Sequence, residues 1–187
     1  EAREALGEFV GCDEDELLFF QNPTTAISNI LYNLELKNND EILMTDHEYG
    51  ALIRAWEEMG KRTGANIVQQ NIPLGLTNEE DFVDYFWKGV TENTKVIFIS
   101  HITSPTALIF PVKKIIQRAK DKGILTIVDG AHVPGQIDLN IQELDCDFYT
   151  GALHKWLCAP KGTSYLFVKR EHHGWMKPLI YSWGKQG

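Results

Sequence analysis

The sequence has 187 residues, of which 43% are hydrophobic and 24% charged, as is ordinary for a globular domain with a real core. The formal net charge of −8 and the lack of a basic stripe argue against a nucleic-acid partner. No apolar run is long enough to cross a membrane, and no signal peptide is visible. Cys12, Cys146 and Cys158 are widely spaced and odd in number, so we expect reduced thiols in a cytoplasmic protein.

The first half of the chain alternates short apolar segments with stretches of helical periodicity. Ile27, Ile30, Leu31 and Leu34 follow the i, i+3, i+4, i+7 rule and therefore predict an amphipathic helix. In chain order, we predict a helix ending at residue 10, a strand over 17–20, a helix within 21–34, a strand over 41–45, a helix through 52–59 and a strand over 66–71.

The second half continues the same alternation. In chain order, we predict a helix over 78–90, a strand over 95–100, a helix beginning at Pro111 and ended by Gly123, and strands over 125–128, 146–149 and 163–168. About seven strands thus alternate with helices, and this order predicts an α/β fold with one mostly parallel, doubly wound, seven-stranded sheet.

Polar residues follow several of the predicted strands directly. Asp129 follows the strand over 125–128, and His154 and Lys155 lie in a turn after the strand over 146–149. His47 and Thr103 also follow strands. In an open α/β sheet, ligands bind outside the carboxyl ends of the strands. A carboxylate and an amine in one crevice suit pyridoxal phosphate (PLP), although each residue alone is more typical of a surface or capping position.

Two polar segments each allow two interpretations. Asn22, Thr24 and Thr25 begin a predicted helix, where backbone N–H groups and hydroxyls can hold an anion, but plain N-capping is the better interpretation of this stretch alone. The adjacent His172 and His173 suggest a metal site, but no matching cluster of ligands accompanies them. We therefore expect a solvated loop there and no metal.

Five segments carry a family resemblance: NPTTA, TDHEYGA, HITSPTA, VDGAHVPG and DFYTGALHKWLCAPKG. In this order they resemble PLP-dependent enzymes of the class V aminotransferase family, most of all isopenicillin N epimerase-type proteins, with cysteine desulfurases and C–S lyases as further relatives. The resemblance implies an aspartate-aminotransferase-like large domain (fold type I) over residues 1–187, PLP as cofactor, an amino-acid substrate and a homodimer. An N-terminal arm and a C-terminal small domain, which relatives have, would be missing from this chain.

The resemblance also assigns roles to individual residues. Lys155 matches the Schiff-base lysine, Asp129 the partner of the pyridinium nitrogen and His47 the ring that stacks on the cofactor; these three are the implied catalytic residues. His132 matches a contact to the phenolic oxygen of the cofactor. The implied cofactor-binding residues, some of which would hold the phosphate, are Thr24, Thr25, Ala26, His47, Thr103, Asp129, His132, His154 and Lys155.

Some features leave the function open. Ala152 occupies a position where relatives have a polar, phosphate-binding side chain, so a non-catalytic dimerisation or binding module is an alternative to an enzyme. Epimerisation, β-elimination, desulfuration and transamination all begin with loss of the Cα proton, and the sequence does not choose among them. A nucleotide-binding domain would need a glycine fingerprint, which the sequence lacks. Ser182, Trp183 and Gly184 are candidates for contact with a partner's cofactor phosphate.

Overall fold

The structure is a computed structural model that describes residues 1–76 and 78–181. Its strands are β1 (Leu17–Phe20), β2 (Glu41–Thr45), β3 (Asn66–Gln70), β4 (Thr94–Ser100), β5 (Leu125–Asp129), β6 (Phe148–Ala152) and β7 (Ser164–Val168). Its helices are α1 (Ala2–Val10), α2 (Pro23–Asn33), α3 (Gly50–Thr63), α4 (Glu79–Trp87), α5 (Val112–Lys120) and α6 (Ile141–Leu144). Among these described helices, none is both long enough and apolar enough to cross a lipid bilayer.

The strands form one seven-stranded sheet with the order β1–β7–β6–β5–β4–β2–β3. Five neighbouring strands, from β6 to β3, are parallel, while β7 pairs antiparallel with both β6 and β1. The prediction of a mostly parallel, seven-stranded α/β sheet is therefore confirmed.

Helices cover both faces of the sheet because the central strands are apolar on both faces. In β4, Ile97 and Ile99 belong to one core cluster, whereas Val96 and Phe98 belong to the other. Successive side chains of a strand point to opposite faces, so each strand contributes to both clusters. This two-sided burial is what a doubly wound sheet requires.

The carboxyl ends of β2 and β4 mark the point where the chain changes direction across the sheet. The chain runs from β2 to β3 on one side and from β4 to β5 on the other. In such sheets, the crevice beside the reversal is the usual ligand site. Ser100, the last residue of β4, is paired in register with Asp129, the last residue of β5, so the two lie side by side at this edge.

The bounds of β6 differ from the predicted strand over 146–149. Asp147 accepts hydrogen bonds from the backbone and the hydroxyl of Thr126 at 2.7 and 2.8 Å, so a side chain anchors this point before strand pairing begins at Phe148. At the other end, the strand continues through Gly151. A Cβ at Gly151 would lie 2.5 Å from the Tyr165 ring, so glycine is needed for this close approach.

Helix α4 is shorter than the predicted helix over 78–90. Its N-cap is Asn78, whose side chain accepts from the backbone N–H of Asp81 at 2.8 Å. Its C-cap is Lys88, and Gly89 follows. The predicted helix therefore ran through Lys88 and Gly89 to Val90, three residues past the observed end of α4.

Candidate active site

A cavity of about 400 Å³ lies at the carboxyl ends of β4, β5 and β6, beside the start of α2. Its size falls within the range of about 300–1,000 Å³ that is typical of small-molecule sites. Six of the nine residues predicted to bind a cofactor line it, and these are Thr24, Thr25, Asp129, His132, His154 and Lys155. The sheet topology thus brings together residues that are up to 131 positions apart in the sequence.

Asp129 provides a buried carboxylate at the edge of the sheet. Only 4% of the residue is exposed, and its Oδ1 accepts a hydrogen bond from the backbone N–H of Ala131 at 2.9 Å. Burial raises the pKa of Asp129, while the Ala131 N–H and the charge of Lys155 act in the opposite direction. A cation bound next to this carboxylate would favour its ionised form.

Lys155 lies three residues beyond β6 and reaches the same cavity. Its Nζ lies 3.0 Å from Nε2 of His132, which belongs to the loop after β5. Partial burial of the amine lowers the pKa of Lys155, and the negative charge of Asp129 partly offsets this effect. A lysine with a lowered pKa is more often in the neutral form that reacts with carbonyl compounds.

His154 has a fixed orientation at the cavity wall. Its Nδ1 lies 2.8 Å from the carbonyl oxygen of Thr163, and a carbonyl only accepts, so Nδ1 carries a proton. In the neutral ring, Nε2 is then an acceptor, whereas the protonated ring would donate from both nitrogens. An anion at this position would therefore bind the protonated form of His154.

The start of α2 is capped by Asn22, as the sequence indicated. The Asn22 side chain accepts from the backbone N–H of Thr25 at 2.8 Å and from its hydroxyl at 3.0 Å. Thr24 and Thr25 line the cavity. Ala26 does not, because it is fully buried and its N–H already donates to the carbonyl of Asn22.

His47, the predicted stacking residue, does not line the cavity. Its Nε2 donates to the carbonyl of Ile72 at 2.9 Å, its Nδ1 lies 3.2 Å from Thr106 Oγ1, and its ring packs edge-on against Phe110. The ring is thus held between the segments that follow β3 and β4, through Ile72, Thr106 and Phe110. Tyr49, the N-cap residue of α3, lines the cavity instead and is 46% exposed.

Thr103 is also placed away from the cavity, although its neighbours Ile102 and Ser104 line it. Its hydroxyl lies 2.7 Å from that of Thr106 and accepts from the backbone N–H of Leu108 at 2.9 Å. These bonds hold the loop after β4 in shape. Thr103 therefore positions the loop, while a different part of the loop borders the cavity.

Glu48 and Ser100 are polar residues of this region that the sequence did not single out. Glu48 is 4% exposed and accepts hydrogen bonds from Ser100 Oγ at 2.5 Å and from Thr45 Oγ1 at 2.7 Å. Burial raises the pKa of Glu48 to about 7, and the charge of Asp129 adds to this effect. The only sequence signal was an acidic residue directly after a buried strand, which is common in surface turns.

Ala152 and the C-terminal candidates can also be placed. Ala152 is the last residue of β6, is paired with Ser164, and is fully buried without lining the cavity. Ser182, Trp183 and Gly184 lie outside the residues that the structure describes.

The prediction of a solvated loop fits His173, which is exposed, but is wrong for His172, which lies in a 3-10 helix over Arg170–His172. His172 Nε2 lies 2.7 Å from Asp147 Oδ1, and its ring stacks on Phe148 at 5.1 Å between centroids. Asp147, Glu171 and His172 have potential metal-ligand atoms within 4.8 Å of one another. Because Asp147 already accepts from Thr126 and His172, the hydrogen bonds and ring packing explain this cluster without an ion.

A second cavity, of about 520 Å³, is larger but lies elsewhere. It is bordered by Tyr32, Asn33 and Glu35 at the end of α2 and by Trp175 and Lys177 near the C-terminus. Trp175 packs against Phe148 at the start of β6, so this cavity is remote from the carboxyl ends of the strands. We therefore place the candidate active site in the smaller cavity.

Comparison with known proteins identifies a family that matches almost the whole chain. The family model described as Aminotransferase class-V matches residues 1–185. An isopenicillin N epimerase from Amycolatopsis lactamdurans is 33% identical over 186 residues, which cover 98% of this chain and 47% of the relative. A probable cysteine desulfurase from Halalkalibacterium halodurans is 31% identical over 184 residues, covering 96% of this chain and 44% of the relative.

Among solved structures, a mutant of C-DES with glycine covalently linked to its PLP cofactor superimposes with a TM-score of 0.90. Its sequence identity is 24%, and the match covers 97% of this chain and 48% of C-DES. At this identity the likeness shows the fold. The chain spans about half the length of the curated relatives it matches.

Proposed function

The chain belongs to the class V aminotransferase family, and we propose that residues 1–187 form the large, PLP-binding domain of an enzyme that acts at Cα of an amino acid. The observation that carries this proposal is the convergence of Lys155, Asp129 and His132 on one cavity at the carboxyl ends of the sheet. The C-DES structure, which holds PLP, and the amino-acid chemistry of the relatives support the choice of cofactor.

The side chains of the cavity fit the polar groups of PLP. Lys155 offers an amine for the aldehyde, and the hydroxyl of Thr24 stands at a helix N-terminus, which favours a phosphate. The N–H and the hydroxyl of Thr25 already donate to Asn22, so Thr25 would border the phosphate without a free donor. Burial raises the pKa of Asp129 because it disfavours the ionised carboxylate. A protonated pyridine nitrogen next to Asp129 would stabilise the ionised carboxylate by its positive charge. Ala26 is left out of the proposed phosphate site because its N–H is already bonded within the helix.

Each residue then has a defined task. When bound, PLP supplies an aldehyde that takes up the substrate amine and a ring that withdraws electrons from Cα. Asp129 would hold the proton at the ring nitrogen, and the amine of Lys155 would remove or return the proton at Cα. Tyr49, rather than His47, would cover one face of the ring, since it is the aromatic side chain after β2 that lines the cavity.

His132 and His154 would contact the two negatively charged parts of the cofactor. His132 lies 3.0 Å from the Lys155 amine, so it is close to the atoms next to the aldehyde, where the phenolic oxygen would be. His154 would pair with the phosphate in its protonated form, because its Nδ1 proton is already given to Thr163.

We propose an epimerase-like reaction as the first candidate, because an isopenicillin N epimerase matches the chain at 33% identity. Desulfuration or C–S cleavage is the second candidate, because a probable cysteine desulfurase matches at 31%. Product analysis separates them. An epimerase inverts the configuration at Cα of its substrate with uptake of solvent hydrogen there, whereas desulfuration or C–S cleavage removes the sulfur of cysteine.

We also propose that the protein is a cytoplasmic homodimer. Large apolar side chains, Ile109, Trp156 and Leu157, are exposed on the loops after β4 and β6, and exposed apolar groups favour an interface on this side. The free cysteines suit a reducing compartment. Sedimentation of the purified protein as an active monomer would refute the dimer.

The assignment of Lys155 is tested by trapping the cofactor. Protein mixed with PLP and reduced with borohydride should carry the cofactor on the peptide that contains Lys155, and Lys155→Ala should abolish this label. Lys161→Ala is the matched control and should retain the label. Labelling on Lys161 alone, or no labelled lysine in the unsubstituted protein, would overturn the proposed function.

Catalysis is tested separately from binding. With PLP and an amino acid in deuterium oxide, the protein should exchange the Cα proton of the substrate. The alternative of a non-catalytic module was based in part on Ala152, and this residue does not line the cavity. A protein that binds PLP on Lys155 but exchanges no Cα proton of isopenicillin N or of any of the twenty amino acids would favour the non-catalytic module.

A further inference from the structure

Trp156, the residue after Lys155, makes a contact that the proposed function does not use. Its indole Nε1 lies 3.1 Å from Nδ1 of His132, while the other nitrogen of His132 lies 3.0 Å from Lys155 Nζ. The two rings are tilted by 49°, with centroids 6.3 Å apart. The imidazole of His132 therefore stands between an indole N–H and the amine.

The two loops that carry these residues are packed closely together. Gly135, in the loop of His132, has a φ of +87°, and a Cβ there would lie 2.8 Å from the backbone carbonyl atoms of Trp156. Only glycine accommodates both the left-handed backbone and this approach. The contact between His132 and Trp156 is thus supported by the backbone as well as by the side chains.

The two contacts of His132 determine the protonation states of His132 and Lys155. An indole N–H only donates, so Nδ1 of His132 must be an unprotonated acceptor. A neutral imidazole then carries its proton on Nε2, and Nε2 donates to whatever lies next to it. Its neighbour is Lys155 Nζ, and an amine can accept a hydrogen bond only when it is neutral. An ammonium at Lys155 would require His132 to have lost both ring protons.

We propose that Trp156 is a positioning residue that fixes His132 in the tautomer protonated at Nε2, and thereby holds Lys155 as a neutral amine. Its importance for catalysis rests on the proposed function, because a neutral amine is the form that adds to a carbonyl carbon. The protonation states themselves are properties of this chain alone.

The electrostatics of the cavity agree with this arrangement. Burial lowers the pKa of Lys155, and burial together with the charge of Lys155 lowers the pKa of His132, so both groups tend towards their neutral forms. Asp129 acts against this for Lys155, because its negative charge favours the ammonium. Among the described residues, the other titratable side chains of the cavity and of the layer behind it are Glu48, Tyr49, His101, Tyr149 and His154.

The first test observes the tautomer without any cofactor. In nitrogen NMR spectra of the purified protein, the His132 signals, assigned by their loss in His132→Asn, should show Nδ1 unprotonated and Nε2 protonated near neutral pH. In Trp156→Phe, which keeps an aromatic ring but removes the N–H, Nδ1 should become partly protonated. Protonation of Nδ1 in the parent protein would overturn the proposal.

The second test measures the pH at which the amine of Lys155 loses its proton. Trace acetylation of Lys155 as a function of pH, quantified on its peptide, gives the midpoint at which the amine becomes neutral. Trp156→Phe should raise this midpoint by about one pH unit, which corresponds to about tenfold less labelling at pH values below both midpoints. At high pH the two proteins should label equally. An unchanged midpoint, or an equal loss of labelling at every pH, would show that Trp156 only packs against the loop and would overturn the proposal.

Trp175→Phe is the matched control. Trp175 also donates from Nε1 to Nδ1 of a histidine, His172, at 3.3 Å, but this pair lies outside the cavity. The control should leave the midpoint of Lys155 unchanged. If the tautomer and the midpoint behave as expected but the parent protein traps no PLP, the proposed function fails while the inference on Trp156 stands.

Discussion

The carboxylate of Glu48 accepts a hydrogen bond from Ser100 Oγ at 2.5 Å, directly beside the strand position that pairs with Asp129. Glu48 and Asp129 thus lie on either side of Ser100, and the negative charge of Asp129 adds to the burial that makes ionisation of Glu48 costly. A buried acid whose pKa is raised keeps its proton in the folded protein at a pH where the unfolded chain has lost it.

This relationship predicts how stability depends on pH. The pKa of Glu48 rises from an ordinary value of 4.5 to about 7. The folded protein therefore binds one more proton than the unfolded chain between these values, and the contribution of Glu48 to the free energy of unfolding falls as pH rises through this window. Between about pH 4.5 and 7, Glu48 should account for a loss on the order of 3 kcal/mol.

Denaturant unfolding of the parent protein and of Glu48→Gln at several pH values checks this. The amide keeps hydrogen bonds to Ser100 and Thr45 but does not titrate, so the variant should lose less stability over the window. Equal pH slopes for the two proteins would show that Glu48 is ionised in the folded state.

Asp129→Asn should retain PLP on Lys155 but slow exchange of the Cα proton by at least about a hundredfold. The amide cannot stabilise a positive charge on the ring nitrogen, whereas the shape of the site stays almost the same. Borohydride trapping measures retention, and deuterium uptake by the substrate measures the chemistry. Near-normal exchange would exclude the role proposed for Asp129.

Tyr49 and His47 should respond differently to truncation. Tyr49→Ala removes a cavity-lining ring and should weaken PLP binding by about two- to tenfold, in line with about 0.5–1.5 kcal/mol for an aromatic contact, and Tyr49→Phe should not. His47→Ala breaks buried hydrogen bonds to Ile72 and Thr106, and should lower stability by about 1–3 kcal/mol.

Equilibrium dialysis of PLP, together with unfolding curves, separates the two effects. If His47→Ala weakens PLP binding at unchanged stability while Tyr49→Ala does not, the role implied by the family resemblance would be restored to His47.

Gly130→Ala should destabilise the protein by about 1–3 kcal/mol, the usual cost of overpacking a core. A Cβ at Gly130 would overlap the ring of Tyr149, which is fully buried and bonded to Nδ1 of His101 at 2.9 Å. Gly174→Ala is the control, because its Cβ would meet open space. Thermal unfolding of both variants tests the difference, and equal melting temperatures would contradict the packing described.

Local patterns in the sequence were sufficient for the class of fold. Apolar segments such as residues 95–100 and the helical spacing of Ile27, Ile30 and Leu31 depend only on neighbouring residues, and they predicted the alternation of strands and helices. The same patterns showed that Asp129 and Lys155 follow strands. Because parallel strands end at one edge of the sheet, these positions implied that the two residues would share a cavity.

The tertiary structure decided which way the side chains point once the strands end. His47 and Tyr49 are two residues apart, and nothing in the sequence shows that the first turns towards Ile72 and the second towards the cavity. The contact of Trp156 with His132 joins residues 24 positions apart through the packing of Gly135. Hydrophobic periodicity records which residues are buried, whereas the directions of polar side chains in turns depend on partners brought together only by the folded chain.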